Sequence, residues 1–226
     1  MSQKFAQIIK KLKISANPLT IKGMTRFGIS GNNMLGVKVP ILRKMARKLG
    51  HNHQLALELW ESGIHEARIL ASMIDEIKKV SEKQMDIWVK DFDSWDVCDQ
   101  VCLNLFWQHR SAYKKAIKWT NAKNEFEKRA GFALIAVLAV KDKKANDSKF
   151  EEFLTVIERA PTDKRNFVKK AMNWALRQIG KRNKELNKKA IATAKKIQKT
   201  NSKIAKWIAN NAIKELESDI VQNKLN

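Results

Sequence analysis

The stretch 91–107, DFDSWDVCDQVCLNLFW, sets four aspartates around Trp95. Asp93 reads as a helix N-cap, with Asp96 at the third helical position completing a capping-box-like pair. Trp95 and Asp99 are then four residues apart and share one helical face. Asp99 falls near the helix N-terminus, where the helix dipole favours the ionised carboxylate. An ionised carboxylate beside an indole can stabilise a developing cation and orient an attacking water. The plainer alternative is an acidic first turn with a buried tryptophan, and this segment alone favours it.

A second group lies in KKAMNWALRQIGKR, residues 169–182. Lys170, Trp174, Arg177 and Lys181 follow one another at spacings of four, three and four, a continuous stripe on one helix. Met172, Ala175, Leu176 and Ile179 fall on other sides and can face a core. Basic side chains can grip phosphates while the ring packs on sugar or base. Alternatively Trp174 is a core residue and its neighbours snorkel around it. Arg129 opens the otherwise apolar FEKRAGFALIAVLAV, at the repeat position that matches Arg165. A lone Arg there serves as a cap or ion-pair partner unless it shares a face with the other two groups.

No P-loop, Gly-rich dinucleotide turn, Ser–His–Asp order or metal-ligand spacing occurs in the chain. Cys98 and Cys102 are the only cysteines, and their spacing suits small buried thiols on one helix face. His51, His53, His65 and His109 show no ligand spacing. An enzyme built this way works with Asp, Trp, Arg and water, without metal or cofactor. That restricts it to substrates with a good leaving group.

The elements that must position these groups are helical. Apolar residues recur at three and four spacing in IIKKLKI, ILRKMARKL, ARILASMIDEI, FEEFLTVIERA and IAKWIANNAIKEL. Strand signals are nearly absent, with one Tyr, three Pro and no hairpin dipeptide between alternating runs. Breaks are expected at Asn17-Pro18, Gly31-Asn32-Asn33, Gly50-His51-Asn52, Asn146-Asp147-Ser148, Pro161-Thr162-Asp163 and Thr200-Asn201-Ser202. Pro40 suits the first turn of a helix. The run Ala130 to Val140 has the length of a buried core helix and falls short of a membrane span. Comparable helices start near Glu66, Asp93, Glu127, Lys164 and Ser202, each after a shorter partner. That period suggests a HEAT-like or armadillo-like α-solenoid of a single domain over 1–226, with a concave face lined by every second helix. An irregular helical bundle is the alternative.

The charge points to a partner. The net charge is +22, from 45 Lys+Arg and 23 Asp+Glu. Residues 1–50 carry +11 with no acidic residue, residues 51–161 carry −1, and residues 162–226 carry +12. Such a segregated field attracts polyanions, nucleic acid above all. The bland alternative is solubility and sticky, non-specific binding. An apolar fraction of 44% with seven Trp and nine Phe argues for a sizeable core and against disorder. The N-terminal MSQKFAQIIKKLKIS lacks an uninterrupted apolar stretch and reads as an amphipathic helix, not as a secretory signal.

Four stretches in order, MLGVKVPILRKMARKL (34–49), SWDVCDQVCLNLF (94–106), EKRAGFALIAV (127–137) and AMNWALRQIGK (171–181), carry a resemblance. The chain resembles the AlkD-like DNA alkylation repair family, the HEAT-like-repeat DNA glycosylases, over most of its length. The resemblance implies an all-α, curved α-solenoid with a basic concave groove for duplex DNA. It implies excision of cationic alkylated purines such as 3-methyladenine or 7-methylguanine, with no metal or cofactor, through the backbone and sugar instead of a base pocket. The family's catalytic Asp falls on Asp99, and its Trp pair on Trp95 and Trp174. Its active-site Arg falls on Arg129, and the Arg three residues after the second Trp falls on Arg177. An aromatic position, usually Tyr, falls on Phe27, which keeps the ring and lacks the hydroxyl. A second aromatic that often precedes the first Trp is replaced by Ser94. Lys170 and Lys181 extend the implied DNA contacts. The expected partner is double-stranded DNA with alkylated bases, bound by a cytoplasmic monomer that associates with the nucleoid, with no membrane and no obligate protein partner. Two alternatives are a non-catalytic solenoid that binds bent, branched or damaged DNA, and a helical scaffold for acidic proteins.

Overall fold

The computed structural model describes residues 1–29 and 33–225. Among the described residues there are helices and turns and no strand. The predicted break at Gly31-Asn32-Asn33 lies, except for Asn33, outside the described residues. The chain divides into two compact units, Met1–Arg110 and Ser111–Asn226. The first holds α1 (Gln3–Ile14), α2 (Pro18–Arg26), α3 (Val39–Leu49), α4 (His53–Glu61), α5 (His65–Ile74), α6 (Glu82–Trp88) and α7 (Trp95–Asn104), with 3-10 turns at Val89–Asp91 and Phe106–Gln108. The second holds α8 (Ala112–Thr120), α9 (Glu125–Lys141), α10 (Asp147–Arg159), α11 (Asn166–Gly180), α12 (Lys184–Gln198), α13 (Lys203–Leu216) and α14 (Asp219–Leu225).

Polar punctuation starts many of these helices. The side chains of Asn17, Asn52, Ser81, Asn183 and Ser202 each accept from a backbone N–H in the first turn that follows, satisfying a donor the helix leaves open. Pro18 and Pro40 sit in first turns, where the missing N–H is not needed. Gly50 ends α3 with a positive φ of 67°, a conformation that favours glycine. Among the described residues, no helix is long and apolar enough to cross a membrane.

In the first unit α3 and α4 pack on α5, and α5 packs on α7. Trp60 and Trp88 stack at 4.0 Å between ring centroids, with Phe92 set edge-on to Trp60. In the second unit α8 and α11 pack on α9, and α12 and α13 pack on α11. The second helices of successive pairs thus touch within each unit: α5 with α7, and α9 with α11 with α13. These are the helices whose starts the repeat period located. Helix α9 is buried from Arg129 to Ala139, as expected of a helix apolar on all sides.

Gly131 makes the α8–α9 contact possible. A Cβ there would stand 2.5 Å from Thr120 N, 2.8 Å from the Trp119 carbonyl carbon and 2.9 Å from Ala116 O. All three are backbone atoms and cannot swing aside. Gly131→Ala is therefore expected to destabilise the protein by about 2 kcal/mol, although alanine is intrinsically the better helix former by about 1 kcal/mol. Urea denaturation reads the sign directly: a stabilised variant would mean that the two helices separate at no cost.

Three expectations are corrected. Helix α7 starts at Trp95 with Ser94 as its N-cap, so Asp93 does not cap it. Asp93 is exposed, and Asp96 turns instead to a buried imidazole, His65. Arg129 and Arg165 do not occupy one repeat position. Arg165 is the N-cap of α11, whereas α9 begins early, at Glu125, and carries Arg129 into its second turn. The shorter-partner rule also fails in the last pair, where α12 has 15 residues and α13 has 14.

Candidate active site

Helix α7 carries Trp95 in its first position and Asp99 one turn further on the same face. Both are half-buried. The Trp95 indole Nε1 donates to the Phe27 carbonyl oxygen at 3.1 Å. Phe27 is the C-cap of α2 and its ring is 74% exposed. Trp95 and Phe27 line one open depression of about 560 Å³ with Leu19, Gly23, Met24 and Lys38. The first unit thus brings together Trp95 and Phe27 and sets Asp99 beside Trp95.

The segment that follows Phe27 is pinned from below by Glu66. Its buried carboxylate accepts from three consecutive amides: Leu35 N at 2.9 Å, Gly36 N at 2.6 Å and Val37 N at 3.2 Å. Leu35 O accepts in turn from Asn17 N at 2.8 Å. Gly36 has a φ of +75°, and a Cβ there would lie 2.3 Å from Asn17 O. Gly36 is therefore a backbone requirement, because only glycine fits both the dihedral and the gap.

Beside Glu66, His65 is buried and its Nε2 meets Asp96 Oδ2 at 2.8 Å. Among the described residues, His65 Nδ1, Asp96 Oδ1 and Ser94 Oγ are buried without a protein hydrogen-bond partner. Ser94 is wholly buried, at the position where the family pattern often places an aromatic ring.

In the second unit the α11 stripe is as the spacing predicts. Lys170 is exposed, while Trp174 and Arg177 are half-buried. Lys181 is the C-cap of α11. Glu215 on α13 pairs with both Arg177 and Lys181, the latter at 2.7 Å. With its amide oxygen turned toward them, Gln178 accepts from Trp174 Nε1 at 3.2 Å and from Lys181 Nζ at 3.1 Å. Arg129 stands apart from this stripe. It is 5% exposed and its Nη1 donates to Phe167 O at 2.7 Å, tying α9 to the start of α11. Lys169 lies over the Trp207 ring at 4.6 Å from the centroid, and that ring is 37% exposed.

The sequence matches the profile of the DNA alkylation repair enzymes over residues 8–216. The chain belongs to that family. Lin0241, an uncharacterized protein of Listeria innocua serovar 6a, is 25% identical over 206 residues, which are 89% of this chain and 90% of the relative. A solved structure from "a new family of proteins related to the HEAT-like repeat DNA glycosylases with affinity for branched DNA structures" superposes with a TM-score of 0.81 at 23% identity. It covers 98% of this chain and 95% of its own. The fold of this DNA alkylation repair protein is thus that of the HEAT-like helical repeats, all-α.

Sequence reasoning missed four residues of this DNA alkylation repair protein. Glu66 and His65 read as the polar start of an apolar helix, and their partners lie about 30 residues away along the chain. Glu215 reads as one more acid on an amphipathic helix, and Trp207 as a core residue of IAKWIANNAIKEL. The basic residues Lys203 and Lys206 around Trp207 were the available signal. Among the described residues, no group of three or more His, Cys, Asp and Glu could hold a metal ion. Cys98 and Cys102 are buried and unbridged.

The charges explain two titrations. Burial, the largest single influence on Glu215, pushes its carboxyl up, yet hydrogen bonds and charge from Lys181 and Arg177 bring it below the ordinary range. Burial likewise pulls His65 down, but the hydrogen bond and charge of Asp96, helped by Glu66 and Asp93, leave its imidazole raised. A raised folded-state imidazole stabilises the fold fully below the unfolded value of about 6.5, and that stabilisation is lost as pH rises through the higher folded value. The melting temperature of the wild type is therefore expected to fall as pH climbs above about 6.5, and His65→Gln to flatten that slope. An identical slope in the variant would remove His65 from the account.

Proposed function

We propose that this chain is a DNA glycosylase that binds duplex DNA along a basic groove and releases cationic alkylated purines, 3-methyladenine or 7-methylguanine. The observation that carries the reading is the Trp95–Asp99 pair: a carboxylate one helical turn from an indole that lines an open depression with Phe27. A purine alkylated at N3 or N7 already bears positive charge and leaves as a neutral base. As the glycosidic bond breaks, its electron pair goes to the purine and positive charge grows on the deoxyribose. Ionised Asp99 stabilises that charge and accepts a proton from the water whose oxygen bonds to C1′. Trp95, one helical turn from Asp99, turns π density toward the same cation, about 0.5–2 kcal/mol, and Trp174 packs on the DNA beside Arg177. The leaving group needs no metal or cofactor to activate it.

Lys170, Arg177 and Lys181 hold phosphates in this reading, and Phe27 packs on the sugar. Glu215 shares one carboxylate between two of these cations, so the cluster keeps a net positive charge. Arg129, almost wholly buried, acts on DNA through the position it gives α11.

A second reading has its own support. The structure with a TM-score of 0.81 comes from proteins described by affinity for branched DNA, which supports a binder of branched DNA. One assay separates the two. The purified chain is incubated with a duplex bearing one N7-methylguanine, and free base and abasic sites are counted. Base release, with duplex affinity falling steeply as salt rises, supports the glycosylase. Salt-dependent binding to duplex and four-way junction without release supports the binder instead.

A further inference from the structure

Helix α2 is unlike the other helices of its unit, because none of its residues is buried. Leu19, Gly23 and Phe27 recur at a spacing of four, so they form one stripe along it. Leu19 is 76% exposed and Phe27 74%. Between them Gly23 leaves a gap, since a Cβ at that position would meet nothing within 4 Å. The stripe is thus a notched apolar edge. Trp95 and Met24 close the sides of the same depression, and Lys38 stands at its rim. Lys22 and Arg26 on α2 are exposed, and no acidic residue occurs anywhere in the first fifty positions.

Two features decide what such an edge takes. An apolar notch with an aromatic ring at one end and an indole at its side suits a flat ring. The cationic α2 side of the notch, with Lys22, Arg26 and Lys38, suits a ligand whose flat rings hang from an anionic backbone. We infer that the α2 notch receives an unpaired nucleobase, so that this face selects DNA carrying bulged or unstacked nucleotides over fully paired duplex. The inference rests on the DNA-binding part of the function proposed above and deepens it, naming what the depression beside Trp95 and Phe27 receives. The base that enters need not be the alkylated one. Among the described residues the lining is mostly apolar, and its few polar members, Asn17, Thr20 and Lys38, make a stacking surface and not a reader of one base edge.

The test uses the full chain and two duplexes of one sequence, differing only in a single extra 2-aminopurine nucleotide. Affinity is read by anisotropy, and stacking by quenching of the 2-aminopurine. The wild type is expected to bind the bulged duplex about ten-fold more tightly than the paired one and to quench its fluorescence. Gly23→Leu fills the notch without touching a charge, and a side chain has room there. It is expected to bind paired duplex as the wild type does while losing both the ten-fold preference and the quenching. Leu19→Ser, at an exposed position, is expected to weaken the preference in the same direction. Equal affinity of the wild type for both duplexes overturns the inference, as does a Gly23→Leu variant that keeps the preference. Loss of discrimination together with cosedimentation on anionic vesicles overturns it in favour of a lipid surface. Base release from the N7-methylguanine duplex is scored separately. A wild type that prefers the bulge and releases nothing upholds the notch and defeats the glycosylase reading.

Discussion

Asp99→Asn is expected to bind duplex DNA as tightly as the wild type and to release N7-methylguanine about a hundred to a thousand times more slowly. The amide has the shape of the carboxylate, so the packing of α7 should survive. Asp99 is half-buried in the second turn of α7. In the ground state the alkylated purine carries the positive charge. In the transition state that charge has moved to the sugar, where Asp99 can oppose it. The interaction is thus stronger in the transition state, the condition under which a group accelerates the chemistry rather than the binding. The loss should appear in single-turnover rates with the dissociation constant unchanged. A variant that retains the wild-type rate would remove Asp99 from the mechanism, and one that loses binding in proportion would make it a structural residue.

The parts of each candidate group that lie within one helix are legible in the sequence. Trp95 with Asp99, and Trp174 with Arg177 and Lys181, share faces because helical spacing alone puts them there. Break positions were legible for the same local reason, since Asn17, Asn52 and Ser202 act on backbone two or three residues away. What depended on a distant partner was not. Asp93 and Asp96 matched a capping pattern, but the pattern cannot show that His65, 31 residues away, offers Asp96 a buried imidazole. Arg129 read as a lone cation at a helix start, and only the packing of α11 on α9 shows its carbonyl partner at Phe167. Glu215 answers two cations from a different helix. Phe27 was marked by resemblance to the family, whereas the contact of its carbonyl with Trp95 spans 68 residues. Long-range polar pairs carry no periodicity, so a single chain read along its length cannot expose them.

Glu66→Ala follows from one such pair and should be the more damaging change to the fold. The carboxylate is 1% exposed and accepts from the amides of Leu35, Gly36 and Val37. Alanine leaves those donors without their acceptor, and orphaned buried donors cost about 1–3 kcal/mol each. Some of the three will reach water once the segment loosens, so the expected loss is about 3–5 kcal/mol. Glu66→Gln keeps an oxygen acceptor without the charge and should cost about 1–2 kcal/mol. Equilibrium denaturation in urea checks both values and their order. The effect should reach the site as well. Leu35 O holds Asn17 N, Asn17 caps α2, and α2 ends at the Phe27 carbonyl that positions the Trp95 indole. Base release by Glu66→Ala should therefore fall even at temperatures where the variant is fully folded, with Glu66→Gln restoring most of it. Asp99→Asn gives the opposite signature, full stability without chemistry. If Glu66→Ala proves as stable as the wild type, the three amides find other acceptors and the carboxylate does not anchor the segment. If it is unstable but fully active when folded, the chain of contacts from Glu66 to Trp95 carries no influence on the chemistry.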